Sequence, residues 1–194
     1  MHQLHKEPRY QFDEALFSID DPELQISFSE NSSSCSVTTT QRDDGTVMCT
    51  STYREGVLHG PCRTYFSDGT RAAEKWFYNG LSHGRALEYA PNGALLSQRA
   101  YFNGRLVGPW FRWYPNGTLQ ISGKFVDGMP DGLFELFHDD GSIIRTTRFC
   151  AGRRNGIDIG WTEDGYLLFC EMWKEGERQR IILEDVMARG LGIA

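Results

Sequence analysis

The sequence holds five cysteines, and no two of them form a CxxC pair. An odd count without that spacing suggests neither a disulfide framework nor a zinc site. Reduced thiols, no metal and no cofactor are therefore expected. No apolar run approaches the ~18 residues a membrane helix needs. The opening MHQLHKEPRY also lacks the apolar core of a secretion signal, so a cytoplasmic location is expected. Lys and Arg never cluster into a basic run; the formal net charge is −6. That balance argues against a nucleic-acid or anionic-membrane surface, both of which need clustered cations. It suits a protein partner, and a basic one best.

The usual signatures of catalysis are also missing. There is no GxSxG, no HExxH, no phosphate loop and no dinucleotide fingerprint. His59 and His83 stand at one repeat position, each directly before a glycine, which reads as a repeat feature. The acidic pairs Asp43-Asp44 and Asp139-Asp140 lie in turn sequences, where Asp is favoured. A glycosidase would need carboxylates facing across a cleft, and a flat sheet does not supply one. No enzyme is expected.

What the chain has in quantity is glycine, 21 in all. Gly45, Gly69, Gly93, Gly117, Gly141 and Gly165 recur every 24 residues, each after Asp or Asn. Gly56 to Gly176 form a second series at the same step. Gly60, Gly84, Gly108, Gly132 and Gly156 form a third, which ends because the next position is Arg180. Aromatics keep the same beat. One column is Tyr53, Phe77, Tyr101, Phe125, Phe149 and Trp173; another is Tyr65, Tyr89, Trp113, Phe137 and Trp161. The columns interleave at 12 residues, so half a repeat is one strand plus one turn. The Asx-Gly pairs supply the positive φ of tight hairpins, and the runs between them are rich in strand formers. The expected fold is all-β: an elongated antiparallel meander of hairpins, with about 11 strands over residues 44–174. The periodic aromatics are expected to share one packed face. The third glycine is expected to leave a gap that a neighbouring ring covers.

Segments such as Tyr101-Phe102-Asn103-Gly104-Arg105-Leu106-Val107-Gly108-Pro109-Trp110 and Trp113-Tyr114-Pro115-Asn116-Gly117-Thr118-Leu119 resemble MORN repeats, in particular the bacterial variant. The resemblance covers about residues 44–180. It implies a non-catalytic, protein-binding repeat module. An antitoxin or immunity protein acting on a basic toxin or enzyme, or a scaffold, is the reading it suggests. A membrane-associated phospholipid-binding scaffold and a secreted effector are the alternatives.

The ends do not keep the beat. Residues 1–43 read as an N-terminal cap or tail, with a short helix at Tyr10–Phe17, a strand at Leu24–Ser29 and a Ser/Thr-rich loop at Asn31–Thr40. Residues 44–179 are the array. Residues 180–194 read as a C-terminal cap built on an amphipathic helix at Arg180–Arg189. Within the array, residues off the aromatic columns differ between repeats. In the middle they are Trp76, Tyr78, Phe102, Trp110, Arg112 and Tyr114, and aromatics and Arg are favoured interface anchors. These six are the candidate partner-binding residues, expected to merge on one face.

Overall fold

The computed structural model describes residues 35–182. They form one 14-stranded antiparallel sheet in which each strand pairs with its sequence neighbours. The strands are β1 (Cys35–Gln41), β2 (Val47–Arg54), β3 (Val57–Tyr65), β4 (Arg71–Tyr78), β5 (Leu81–Tyr89), β6 (Leu95–Phe102) and β7 (Arg105–Trp113). They continue as β8 (Leu119–Val126), β9 (Met129–Pro130), β10 (Gly132–Phe137), β11 (Ile143–Cys150), β12 (Arg153–Trp161), β13 (Leu167–Lys174) and β14 (Glu177–Ile181). β9 and β10 are one strand interrupted at Asp131. The stretch 44–174 thus has the 11 strands that its 12-residue beat requires. At ~4.8 Å per strand the sheet runs roughly 60 Å from β1 to β14.

The array extends beyond the expected limits at both ends. Residues 35–40, within the stretch 31–40 read from its Ser and Thr content as loop, belong to strand β1, paired along its length with β2. Thr is a good strand residue, and pairing with β2 overrides the loop-like composition. Arg180 and Ile181, read as the start of a helix, end strand β14. The N-terminal helix and strand and the remainder of the C-terminal helix lie outside the described residues.

Two kinds of turn alternate. At Asn79-Gly80, Asn103-Gly104 and Asp127-Gly128 both residues have positive φ, the two-residue type I′ hairpin. Glu55, Ala151 and Glu175 fill the Asn position in other repeats and take φ of 47° to 52° all the same. At the other end of each hairpin the turn is wider. Around Asp68-Gly69, Gly69 N–H donates to Phe66 O at 3.0 Å and Phe66 N–H to Thr70 O at 2.8 Å. Asp68 accepts from the Thr70 amide at 2.8 Å, and only the glycine has positive φ. This is a type I turn closed by a glycine bulge. All type I′ turns lie along one long edge of the sheet and all wide turns along the other.

The third glycine series is required by its backbone, and at Gly132 and Gly156 no ring covers the glycine: nothing lies within 4 Å of a Cβ at Gly132, and one at Gly156 meets Arg148. Gly60, Gly84, Gly108, Gly132 and Gly156 have φ of 69° to 119°. In β2–β3 the partners step from Tyr53↔Leu58 to Ser51↔Cys62, so His59, Gly60 and Pro61 oppose Thr52 alone. The same two-residue bulge recurs at β4–β5, β6–β7 and β11–β12. Where Arg180 replaces the glycine, the shift shrinks from Trp173↔Arg178 to Met172↔Arg180, a single extra residue. A ring does cover glycine elsewhere, outside the series. A Cβ at Gly123 would lie 2.7 Å from Cζ of Phe134, and one at Gly160 equally close to Cζ of Phe169.

The two aromatic columns do not share a face. A two-residue turn pairs Tyr101 with Leu106 and Phe102 with Arg105. Odd and even positions therefore exchange faces across it. Phe77, Tyr101, Phe125, Phe149 and Trp173 fall on one side, here the front. Trp113 stacks near Phe111 at 5.8 Å and falls, with Tyr65 and Tyr89, on the back. Among the described residues there is little apolar interior: those buried are Ala86, Ala90, Ala100 and Val107.

Candidate docking site

The six residues picked from the sequence divide between the faces. Trp76, Tyr78 and Phe102 are on the back, where Pro61 faces Trp76 and Leu81 faces Tyr78. Trp110 and Arg112 are on the front, opposite Gly123 and Ile121. Tyr114 is at the wide-turn edge, where its hydroxyl donates to Phe137 O at 2.9 Å. They therefore do not merge into one patch, for the parity reason just given.

On the back, rings from four strands form a ladder. His59 and Tyr78 are 4.9 Å apart, Tyr78 and His83 5.6 Å, and His83 and Phe102 5.0 Å. The histidines also reach the next repeat's turn: Nδ1 of His59 and of His83 lie 3.2 Å from Oδ1 of Asn79 and Asn103. Asp131, at the same repeat position, accepts from the Ala151 amide at 3.2 Å. The repeated histidine thus ties one turn to the following one. Among the described residues no group of three or more His, Cys, Asp or Glu is arranged to hold a metal ion.

The front carries the densest aromatic cluster. Trp110 is 5.8 Å from Phe125 and 6.4 Å from Phe134; Phe134 is 5.5 Å from Phe125 and 5.1 Å from Phe149. Gly123 makes this possible, since Phe134 lies across its bare backbone. A depression of about 200 Å³ opens among Trp110, Ile121, Phe134, Leu136, Arg145 and Phe149. Nε1 of Trp110 is buried there without a hydrogen-bond partner. Other rings of the front are capped by cations. Lys75 sits 4.7 Å over Tyr101, and Arg154 sits 4.6 Å over Trp173. Phe134 escaped the sequence reading because only the off-column residues of the middle repeats were taken as candidates. Its signal was present, for it stands 24 residues after Trp110, in the same repeat position.

Two carboxylates are buried inside this thin sheet. Glu74, 1% exposed, accepts from Arg63 at 2.7 Å and from Trp76 Nε1 at 3.0 Å, and pairs with Arg71 and Arg85. Asp158, also 1% exposed, takes both arms of Arg145 at 2.8 and 2.6 Å and the Thr147 hydroxyl at 3.0 Å. Burial pushes both carboxyls up, but the donors outweigh it and hold each below its ordinary range. Surrounded by donors on all sides, they are structural anchors. The five cysteines are unbridged. Cys49 and Cys62 approach to 3.9 Å between sulfurs, and burial raises the Cys62 thiol.

Residues 106–127 match the MORN repeat variant. That stretch runs from β7 into the type I′ turn after β8, about one period of the 24-residue beat, and contains Trp110, Gly123 and Phe125. MORN repeats generally serve as non-catalytic modules that bind proteins or membranes. No curated protein matches the chain.

Proposed function

We propose that the chain is a non-catalytic protein-binding module whose partner docks on the front face at the Trp110 cluster. The observation that carries this reading is the cluster of Trp110, Phe125, Phe134 and Phe149, in which Trp110, Phe134 and Phe149 line an open depression. Among the described residues no second layer covers it. Large rings beside a buried, unused indole N–H suit an apolar side chain accompanied by a backbone or side-chain acceptor. Arg112 on the neighbouring front position adds an exposed donor fork. The wide-turn edge carries Asp43, Asp44, Asp139, Asp140 and Asp164, which fits a partner with a basic rim. A toxin or enzyme neutralised by this chain is the narrower form of the proposal. For the front face, the aromatic surface and the acidic wide-turn edge favour it over docking on an anionic membrane, which would meet carboxylates at that edge.

The test is affinity capture with wild-type protein, then titration of the captured partner with Trp110→Ala. The ring is half-buried, so the variant is expected to fold with reduced stability and to lose ~2 kcal/mol or more of binding. A folded Trp110→Ala protein that binds the same partner as wild type defeats the front-face site. For the narrower form, co-expression with a captured toxin is expected to restore host growth, and growth arrest in spite of binding rejects it.

A further inference from the structure

The back face has a strip of different character, along the type I′ edge. Tyr78, Leu81, Val126, Met129 and Leu133 are each 39% to 51% exposed there. Arg54, Arg105, Lys124, Arg148 and Arg153 are interspersed among them on the same face, by the pairings Arg54↔Val57, Phe102↔Arg105, Pro109↔Lys124, Leu133↔Arg148 and Cys150↔Arg153. None of these five cations makes a salt bridge to a described residue. With Asp131 the one carboxylate between Met129 and Leu133, where it accepts from the Ala151 amide, the strip is apolar and net basic in a chain whose net charge is −6.

The charge is unevenly distributed. Residues 35–182 contain 17 Lys and Arg against 17 Asp and Glu, and are neutral. Residues 1–34 contain seven carboxylates against Lys6 and Arg9, a net of −5. Between residues 10 and 28 those carboxylates, among them Asp13, Glu14, Asp20, Asp21 and Glu23, alternate with Phe12, Leu16, Phe17, Ile19, Leu24 and Phe28. That composition complements the strip in both respects. The point of entry also matches. Cys35 pairs with Arg54, so β1 begins at the type I′ edge, beside the strip. From Arg54 on β2 to Arg153 on β12 the strip crosses nine strand intervals, roughly 43 Å at ~4.8 Å each. A chain of this length reaches that far easily, at up to ~3.3 Å per residue.

We infer that residues 10–28 of this chain are the occupant of the basic apolar strip on the back face. The segment then shields the back, leaving the front as the open surface, and excludes any other acidic amphipathic segment from the same strip.

The test uses the full-length protein with a photo-cross-linking p-benzoylphenylalanine in place of Leu81. Irradiation of dilute protein is expected to give an intramolecular link to a peptide from residues 10–28, and the same group in place of Lys75, on the front, none. Reversing Asp13, Glu14, Asp20 and Asp21 to Lys should lower the yield about tenfold, since like charges then meet. These positions precede β1 in sequence, and thermal unfolding of the sheet serves as the folding control. Restoring the link by adding Arg105→Glu, Lys124→Glu and Arg148→Glu to the reversed segment completes the case. A link only between two molecules, a link to any other segment, equal yields from both faces, or a yield unaffected by charge reversal overturns the inference.

Discussion

Gly132 shows at the scale of one residue what spacing can and cannot reveal. Its recurrence every 24 residues is plain in the sequence, but its purpose is not. Nothing lies within 4 Å of a Cβ built there, while its φ is +88°. The glycine is needed for the backbone of the bulge and not for space. Gly132→Ala and Gly132→Val should therefore cost about the same, ~1–3 kcal/mol, in thermal or urea unfolding. At Gly123 φ is ordinary and space is the constraint, because Phe134 covers the position. There the ring must move, and Gly123→Ala should cost ~1–3 kcal/mol with Gly123→Val clearly worse. A graded series at Gly132 or a flat one at Gly123 contradicts these assignments. Ala151 gives the opposite sign. It holds φ of 47° where its counterparts are Asn79, Asn103 and Asp127. Ala151→Gly should stabilise the protein by ~0.5–1 kcal/mol, because a strained left-handed residue is relieved. An unchanged or lower melting temperature would show that the turn strain is released elsewhere.

At the scale of the element, most of the fold was legible and most of the site was not. The 12-residue beat gives strand number, order and antiparallel sense, because turn chemistry is local and repeats without insertion. What it does not give is which way a side chain faces after each turn. Tyr101 pairs with Leu106, five residues on, so every two-residue turn exchanges odd and even positions. Treating the columns of Tyr101 and Trp113 as one face was thus mistaken, and it put Trp76 and Trp110 on a common surface they do not share. β1 was missed because Ser and Thr suit both loops and edge strands, and only pairing with β2 decides between them. The buried carboxylates were missed for a related reason. Glu74 occupies a column held elsewhere by Thr50, Gln98, Ser122 and Thr146, and Asp158 one held by Ala86, Trp110 and Phe134. A position that is charged in one repeat alone carries no periodic signal. Asp158→Asn should weaken the bidentate contact of Arg145 and leave buried donors poorly matched. A loss of ~1–3 kcal/mol at neutral pH is expected, read by urea unfolding.

For the whole molecule, the sheet architecture means that stability is assembled from neighbour to neighbour, with few side chains fully buried among the described residues, the largest being His59, Glu74 and Asp158. Two ionic anchors therefore carry weight at separate places. Glu74 ties β3, β4 and β5 together on the back, through Arg63, Arg71 and Arg85. Asp158 ties β11 to β12 on the front, through Arg145, Thr147 and Arg154. Both carboxyls have folded-state pKa values below their ordinary ones. The sign follows from linkage. A depressed folded pKa means that the unfolded chain binds protons more readily, so the stabilisation is complete above the unfolded value, near pH 4–5, and is lost as pH falls through the folded one. Thermal unfolding measured from pH 7 to pH 3 should be flat above about pH 5 and decline steadily below it. Exposed Asp44, Asp68 and Asp140, each held by a Thr or Ser in its own turn, also titrate low and contribute a shallow decline in any variant. The protein with both Glu74→Gln and Asp158→Asn should start from a lower melting temperature at pH 7 and lose much less on acidification, because its two main proton-linked contacts are already gone. If the variant and wild-type curves run parallel from pH 7 to pH 3, acid acts on the exposed turns alone, and the buried carboxylates do not anchor the array.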